Sequence, residues 1–189
     1  MSQNLPETSY DLTKKSKLKN FYDKYKILIW SIILILIISI ITISFYFKNQ
    51  EDKKITLSNN YMKAKIYLNN GDSNKAKNIL EQLIFANDST YSTLSLFLIL
   101  DENLILEKQE LSNLFNHILE NNKFDKDLKN LIIFKKTLFQ SNFVNEIELL
   151  NSAKPLINTE TLWKPHTLLL LGDYFVSKKE YSKAKDFYT

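Results

Sequence analysis

The chain has 189 residues, with 25 Lys, no Arg, 21 acidic residues and no Cys, for a formal net charge of +4. Six Lys and only three acids fall in the first 26 residues, so the remainder is nearly neutral and lacks the Arg-bearing basic stripe of a nucleic-acid binder. Without Cys there is no disulfide or thiolate metal site, and two Gly and three Pro in the whole chain speak for long helices over a strand-and-turn fold.

Residues 1–26 are polar, carry Pro6 and show no apolar period, which predicts a disordered tail; Tyr22, Tyr25 and the Lys around them suit lipid headgroups. From Ile27 to Phe47 there are 21 residues without charge, Gly or Pro. At about 1.5 Å of rise per residue such a helix covers roughly 31 Å, the thickness of a bilayer's hydrocarbon. Its polar members, Ser31, Ser39, Thr42 and Ser44, have hydroxyls able to bond back to carbonyls of the same helix. Trp30 and Tyr46 stand where an aromatic belt would. A soluble core helix is the alternative, but such a helix rarely has an apolar face all the way round. The run is longer than a signal-peptide core, and Ser44-Phe45-Tyr46-Phe47-Lys48 offers no small-x-small cleavage site, so it reads as a retained anchor.

Lys14, Lys15, Lys17, Lys19, Lys24 and Lys26 precede the span, whereas Lys48, Lys53 and Lys54 beyond it are interleaved with Glu51 and Asp52. The positive-inside rule therefore expects a cytoplasmic N-terminus and an external C-terminal region, periplasmic if the membrane is a bacterial inner membrane. Lys48 to Thr56 reads as a linker with an extended reach of roughly 30 Å.

Beyond it the pattern is helical throughout. Leu57 to Asn69 places Tyr61, Ala64, Tyr67 and Leu68 on one stripe. Asn69-Asn70-Gly71-Asp72 breaks it, with Gly71 suited to a left-handed cap and Asp72 or Ser73 to capping the next helix. That helix, Asn74 to about Phe85, brings Ala76, Leu80, Leu83 and Ile84 inward. A helix pair this short cannot bury its own apolar face and needs a stacked neighbour. Tyr91 to Leu106 and Gln109 to Glu120 form a second pair, with Leu111, Leu114, Phe115 and Ile118 inward. Asp101 and Glu102 interrupt the run from Thr93 to Leu106, which is too short for a second span and reads as a core helix. Leu128 to Phe139 and Val144 to Ala153 form a third pair, ended by Pro155. Pro165 opens the last pair, with Leu168, Leu171, Gly172 and Phe175 inward on its first helix. Ser177 to Glu180 forms the turn, and Tyr181, Ala184 and Tyr188 face inward from its second helix.

Leu171-Gly172, Phe175, Tyr181, Ala184 and Tyr188 resemble the tetratricopeptide repeat, a 34-residue helix pair with Leu-Gly in its first helix and a small Ala early in its second. Ala64, Tyr67, Ala76 and Leu80 match it in the first unit, although Lys63 stands where Leu is expected. Ala76 and Ala184 lie 108 positions apart, three periods of 36, which leaves room for two pairs between them, both without the Gly and Ala signature. The expected fold is all-α: a tail over 1–26, a transmembrane helix over 27–47, and a degenerate tetratricopeptide-like solenoid of about four pairs over 48–189, the last one complete or truncated. A repeat stack ends on a polar capping helix, and none follows Thr189, which leaves a fragment or a partner-covered face as the two expectations.

This layout is similar to that of the ancillary Sec-translocon subunit (YfgM-like) family. The resemblance implies an inner-membrane protein beside the Sec translocon, whose outer domain meets emerging polypeptides or periplasmic chaperones. The alternative is a structural scaffold of an envelope or cell-division complex. Chemistry points away from an enzyme: no phosphate loop, metal cluster or nucleophile–base pair is visible, and no cofactor is implied. His117 and His166 stand alone, His117 reading as a half-buried helix residue. In tetratricopeptide repeats the exposed face of each first helix lines a peptide groove. Carried over by spacing, the groove candidates are Tyr61, Lys65, Leu68 and Asn69 in the first unit, and His166, Leu169, Asp173 and Val176 in the last. The competing reading packs Leu68 and Leu169 against neighbouring helices.

Overall fold

The computed structural model describes the backbone of residues 13–188 and the side chains of residues 19–188. Among the described residues every regular element is an α-helix: α1 (Thr13–Asn69), α2 (Ser73–Phe85), α3 (Ser89–Asp101), α4 (Lys108–Asn121), α5 (Lys126–Gln140), α6 (Glu146–Ile157), α7 (Lys164–Ser177) and α8 (Tyr181–Tyr188). The chain divides into two compact units, Met1–Lys54 and Ile55–Thr189.

In the first unit, residues 13–26 are helical, where a disordered tail was expected; the part of that expectation over residues 1–12 lies outside the described residues. The side chains from Ile27 to Phe47 are largely exposed, and Ser31 and Thr42 donate to the carbonyls of Leu28 and Ile38 at 2.8 Å, as the composition predicts. Among the described residues one helix, Lys19–Asn69, is long and apolar enough to cross a membrane. The linker expected over residues 48–56 is also helical, because Glu51, Asp52, Lys53 and Lys54 are competent helix formers and no Gly or Pro interrupts them.

The second unit is a succession of helix pairs. Gly71, at φ 79°, ends α1 in a Schellman turn, in which its N–H donates to Leu68 O and that of Asp72 to Tyr67 O, both at 2.9 Å. Asp72 then caps α2 by accepting from Lys75 N. The same turn recurs with less obvious residues. Asn103, at φ 49°, closes α3 through bonds from Asn103 N to Leu100 O and Leu104 N to Ile99 O. This stops α3 at Asp101, short of the expected Leu106, and turns Ile105 into the core. Lys179, at φ 63°, does the same after α7.

Two further expectations need correction. Helix α6 starts only at Glu146, because Asn145 caps it by accepting from Glu148 N, and it runs through Pro155 to Ile157. Pro155 cannot donate to the Asn151 carbonyl, and the helix continues only two residues beyond it. Tyr181 is 65% exposed instead of inward, because it lies at the hairpin turn past the end of α7, and Tyr188, also expected inward, is 47% exposed with its ring beside Gly172. The inward aromatic residue of α8 is Phe187, whose ring lies parallel to that of Phe175 at 5.4 Å. The inward residues expected of α2 and α4 are all buried, and α3, with Leu96 and Ile99 fully covered, is a core helix.

Buried residues form two clusters. One joins Leu57 and Ala64 of α1 to α2, α3, α4 and Ile132 of α5, and the other joins Leu149 and Ala153 of α6 to Leu171, Phe175 and Ala184. In the second pair a small polar residue, elsewhere on the helix than the Gly of the repeat pattern, brings two helices together. Ser92 is fully buried and its hydroxyl lies 3.0 Å from the carbonyls of both Leu83 and Ile84, so α3 approaches α2 closely.

Candidate peptide groove

The first helices of successive pairs, Ile55–Asn69 of α1 together with α3, α5 and α7, carry the candidate surface. Tyr61 is half-buried, its ring 6.2 Å from that of Tyr91. Burial pushes its phenol pKa up, and the Asp101 carboxylate on α3 adds to the shift. Leu68 is half-buried, and Lys65 and Asn69 are exposed. On α7, His166 is exposed, and Leu169 and Val176 remain 54% and 41% exposed. Asp173 is exposed and accepts a 2.6 Å hydrogen bond from the Tyr188 hydroxyl, which holds the Tyr188 pKa above its usual value. The eight residues expected from spacing thus form two separate groups, one on α1 and one on α7.

What lies between them is a cleft of about 170 Å³ between α3 and α5, lined by Phe97, Leu100, Asp101, Lys135, Leu138 and Phe139. The Lys135 ammonium stands 5.4 Å over the Phe97 ring, an arrangement that holds a cation beside apolar surface. Asp101 ties this cleft to Tyr61 on one side. On the other, Phe134 of α5 lies 6.1 Å from the His166 ring and stacks on Trp163 at 5.2 Å. Tyr61, Asp101, Phe97, Lys135, Phe134 and His166 therefore mark a path from α1 through α3 and α5 to α7. Phe97, Lys135, Leu138 and Phe134 went unnoticed in the sequence because α3 and α5 lack the Gly and Ala that would fix their register.

A second, polar recess of about 490 Å³ opens between α4, α5 and α6, lined by Gln109, Asn116, Gln140, Asn145 and Glu148 among others. Lys136 donates to Asn116 Oδ1 at 2.7 Å, and burial pushes its pKa down. This recess holds amides, the Ser112 hydroxyl and one carboxylate, that of Glu148. His117 is half-buried as expected. Its Nδ1 accepts from Asn121 Nδ2 at 3.3 Å, which leaves Nε2–H to donate to Asn87 Oδ1 at 2.9 Å, so both ring nitrogens are engaged locally. No group of three metal-ligating side chains occurs among the described residues.

A tetratricopeptide-repeat family model matches residues 57–87, which spans the end of α1, the Gly71 turn and α2. Neither the curated proteins nor the solved structures give a significant match. The chain thus contains a tetratricopeptide repeat in an all-helical fold, the architecture of a protein-interaction scaffold.

Proposed function

We propose that this protein is a single-pass, membrane-anchored adaptor whose repeats capture segments of other proteins in the groove along α1, α3, α5 and α7. The observation that carries this reading is the run of apolar and aromatic groups that reach the surface of the first helices, half-buried Phe97 and exposed Leu138 in the middle and exposed Leu169 and Val176 at one end, beside a matched repeat. Its polar members carry both signs, Lys65 and Lys135 against Asp101 and Asp173, with no paired cationic clamp that would select a C-terminal carboxylate. Such a surface suits extended or helical segments with loose specificity.

The apolar helix from Ile27 to Phe47 is the anchor, and the excess of Lys before it supports a cytoplasmic N-terminus with the repeats outside, in the periplasm of a bacterial inner membrane. In that setting the layout supports a place beside the Sec translocon, receiving emerging polypeptides or passing them to periplasmic chaperones. Crosslinking in intact membranes tests this directly: secretion-channel subunits or chaperones should be captured by residues 48–189. Capture of cell-division proteins alone would favour a scaffold of an envelope complex. A reporter enzyme active only outside the cytoplasm should work when fused after Thr189 and stay silent when fused at Ser2; the reverse pattern would overturn the orientation.

A further inference from the structure

In the last helix pair, the stripe Thr167, Leu170 and Tyr174 is buried or half-buried on a helix that packs against α6. In the second pair, Ser92, Ser95 and Ile99 are fully buried on a helix that packs against α2. The same stripe on α1, 108 positions before that of α7, is Asn59, Met62 and Ile66, and here it is open: Met62 is 53% and Ile66 55% exposed. Ile55, 52% exposed, extends it by one turn. On α3 and α7 this face is covered by the preceding helix.

The spacing Ile55, Asn59, Met62, Ile66 runs four, three, four, which is the seam of a two-stranded coiled coil. The opposite side of the same helix carries the buried Leu57 and Ala64, so the seam stays free while the helix keeps its place in the repeat. Asn59 decides what fits. In a parallel, in-register pairing of two copies each Asn59 amide meets its own counterpart, and one group's N–H answers the other's carbonyl. An antiparallel pairing, or a wholly apolar partner, would bury that amide against Met62 or another hydrophobe and leave it unpaired, at a cost of about 1–3 kcal/mol. Toward the N-terminus the same spacing reaches Asp52 and Lys48, where self-pairing would oppose like charges, so the seam ends at Ile55.

We infer that Ile55, Asn59, Met62 and Ile66 form a parallel homodimer seam, in which a second copy of α1 takes the place that a preceding helix holds in the other pairs. Two heptads are too short to hold a free dimer, since a coiled coil is sustained over about three to four. The inference therefore rests on the membrane anchor proposed above, which holds both copies parallel and raises their effective concentration.

The absence of Cys makes the test direct. Full-length variants carrying Asn59→Cys, Met62→Cys or Ile66→Cys, with the exposed Lys75→Cys and Lys154→Cys outside α1 as controls, are reconstituted in phosphatidylcholine–phosphatidylglycerol vesicles and oxidised mildly. Disulfide formation needs β-carbons within about 4.5 Å, so the seam positions should give at least about fivefold more dimer than the controls. Adding Met62→Glu to Ile66→Cys should remove most of that dimer. Protein that stays with the vesicles through an alkaline carbonate wash but crosslinks equally at all positions would refute the seam and leave the anchor standing. Protein washed into the supernatant would refute the anchor, and with it the tethered dimer.

Discussion

Replacing Gly172 by Ala sets two opposing effects against each other in one small contact. Gly172 lies inside α7, where Ala is the better helix former by about 1 kcal/mol. The added methyl, however, would come 2.5 Å from Tyr188 Cζ and 2.7 Å from Cδ1. Carbon atoms pack at about 3.5–4.0 Å, so the ring has to move by more than 1 Å. Tyr188 is 47% exposed, so the ring swings out, giving up its cover over α7 and its hydrogen bond to Asp173. Overpacking of this kind costs about 1–3 kcal/mol, which exceeds the gain in helix propensity. With a net loss near 1 kcal/mol, amide exchange in α8 should quicken about fivefold in the full-length chain. In a Tyr188→Ala background the methyl meets nothing, only the propensity gain remains, and exchange should slow by about the same factor. The reversal of sign is the test, read by hydrogen-exchange mass spectrometry on peptides from residues 164–188. Slower exchange in both backgrounds would refute the contact.

Lys179→Gly should stabilise the α7–α8 hairpin by up to about 1 kcal/mol in urea unfolding, because Lys179 holds φ 63° and a glycine does so without steric cost. Ala184→Leu, at a site only 2% exposed between α7 and α8, should destabilise by about 1–3 kcal/mol. Tyr61 has a raised pKa in the folded chain, so the stability linked to its neutral phenol is fully present below the ordinary value near 10 and is lost as pH rises through the folded value. Tyr61→Phe should accordingly flatten part of the alkaline fall in stability above about pH 10. Leu138→Asp should weaken capture of an unfolded polypeptide at least about tenfold while leaving helicity by circular dichroism unchanged, since Leu138 is 41% exposed.

The order of the helices was legible because their stripes and caps follow ordinary rules: Gly71 after α1, Asp72 before α2 and Pro165 at the start of α7 are where those rules put them. Where reading failed, a residue took an unaccustomed part. Asn103 and Lys179 occupy the left-handed position that composition assigns to Gly, so the end of α3 was misplaced by five residues. Ser92 brings α3 close to α2 at a position for which the repeat pattern holds no signature residue. With that register hidden, the groove positions of α3 and α5 could not be transferred, and the cleft beside Phe97 and Lys135 emerged only from the packing. At the two ends the groove positions could be transferred by spacing because those pairs keep their signature.

The split of the core has a further consequence. Ile132 of α5 belongs to the larger cluster and Leu149 of α6 to the smaller one, so the pair α5–α6 straddles the line between two cores of unequal size. The end formed by α6, α7 and α8 should open at a lower free energy than the rest, and the protein should melt in steps. A segment lying along both Leu138 and Leu169 would bridge that line. Its occupancy would then register as the merging of two transitions into one, a mechanical stiffening of the stack in addition to the gain in stability that any bound ligand brings.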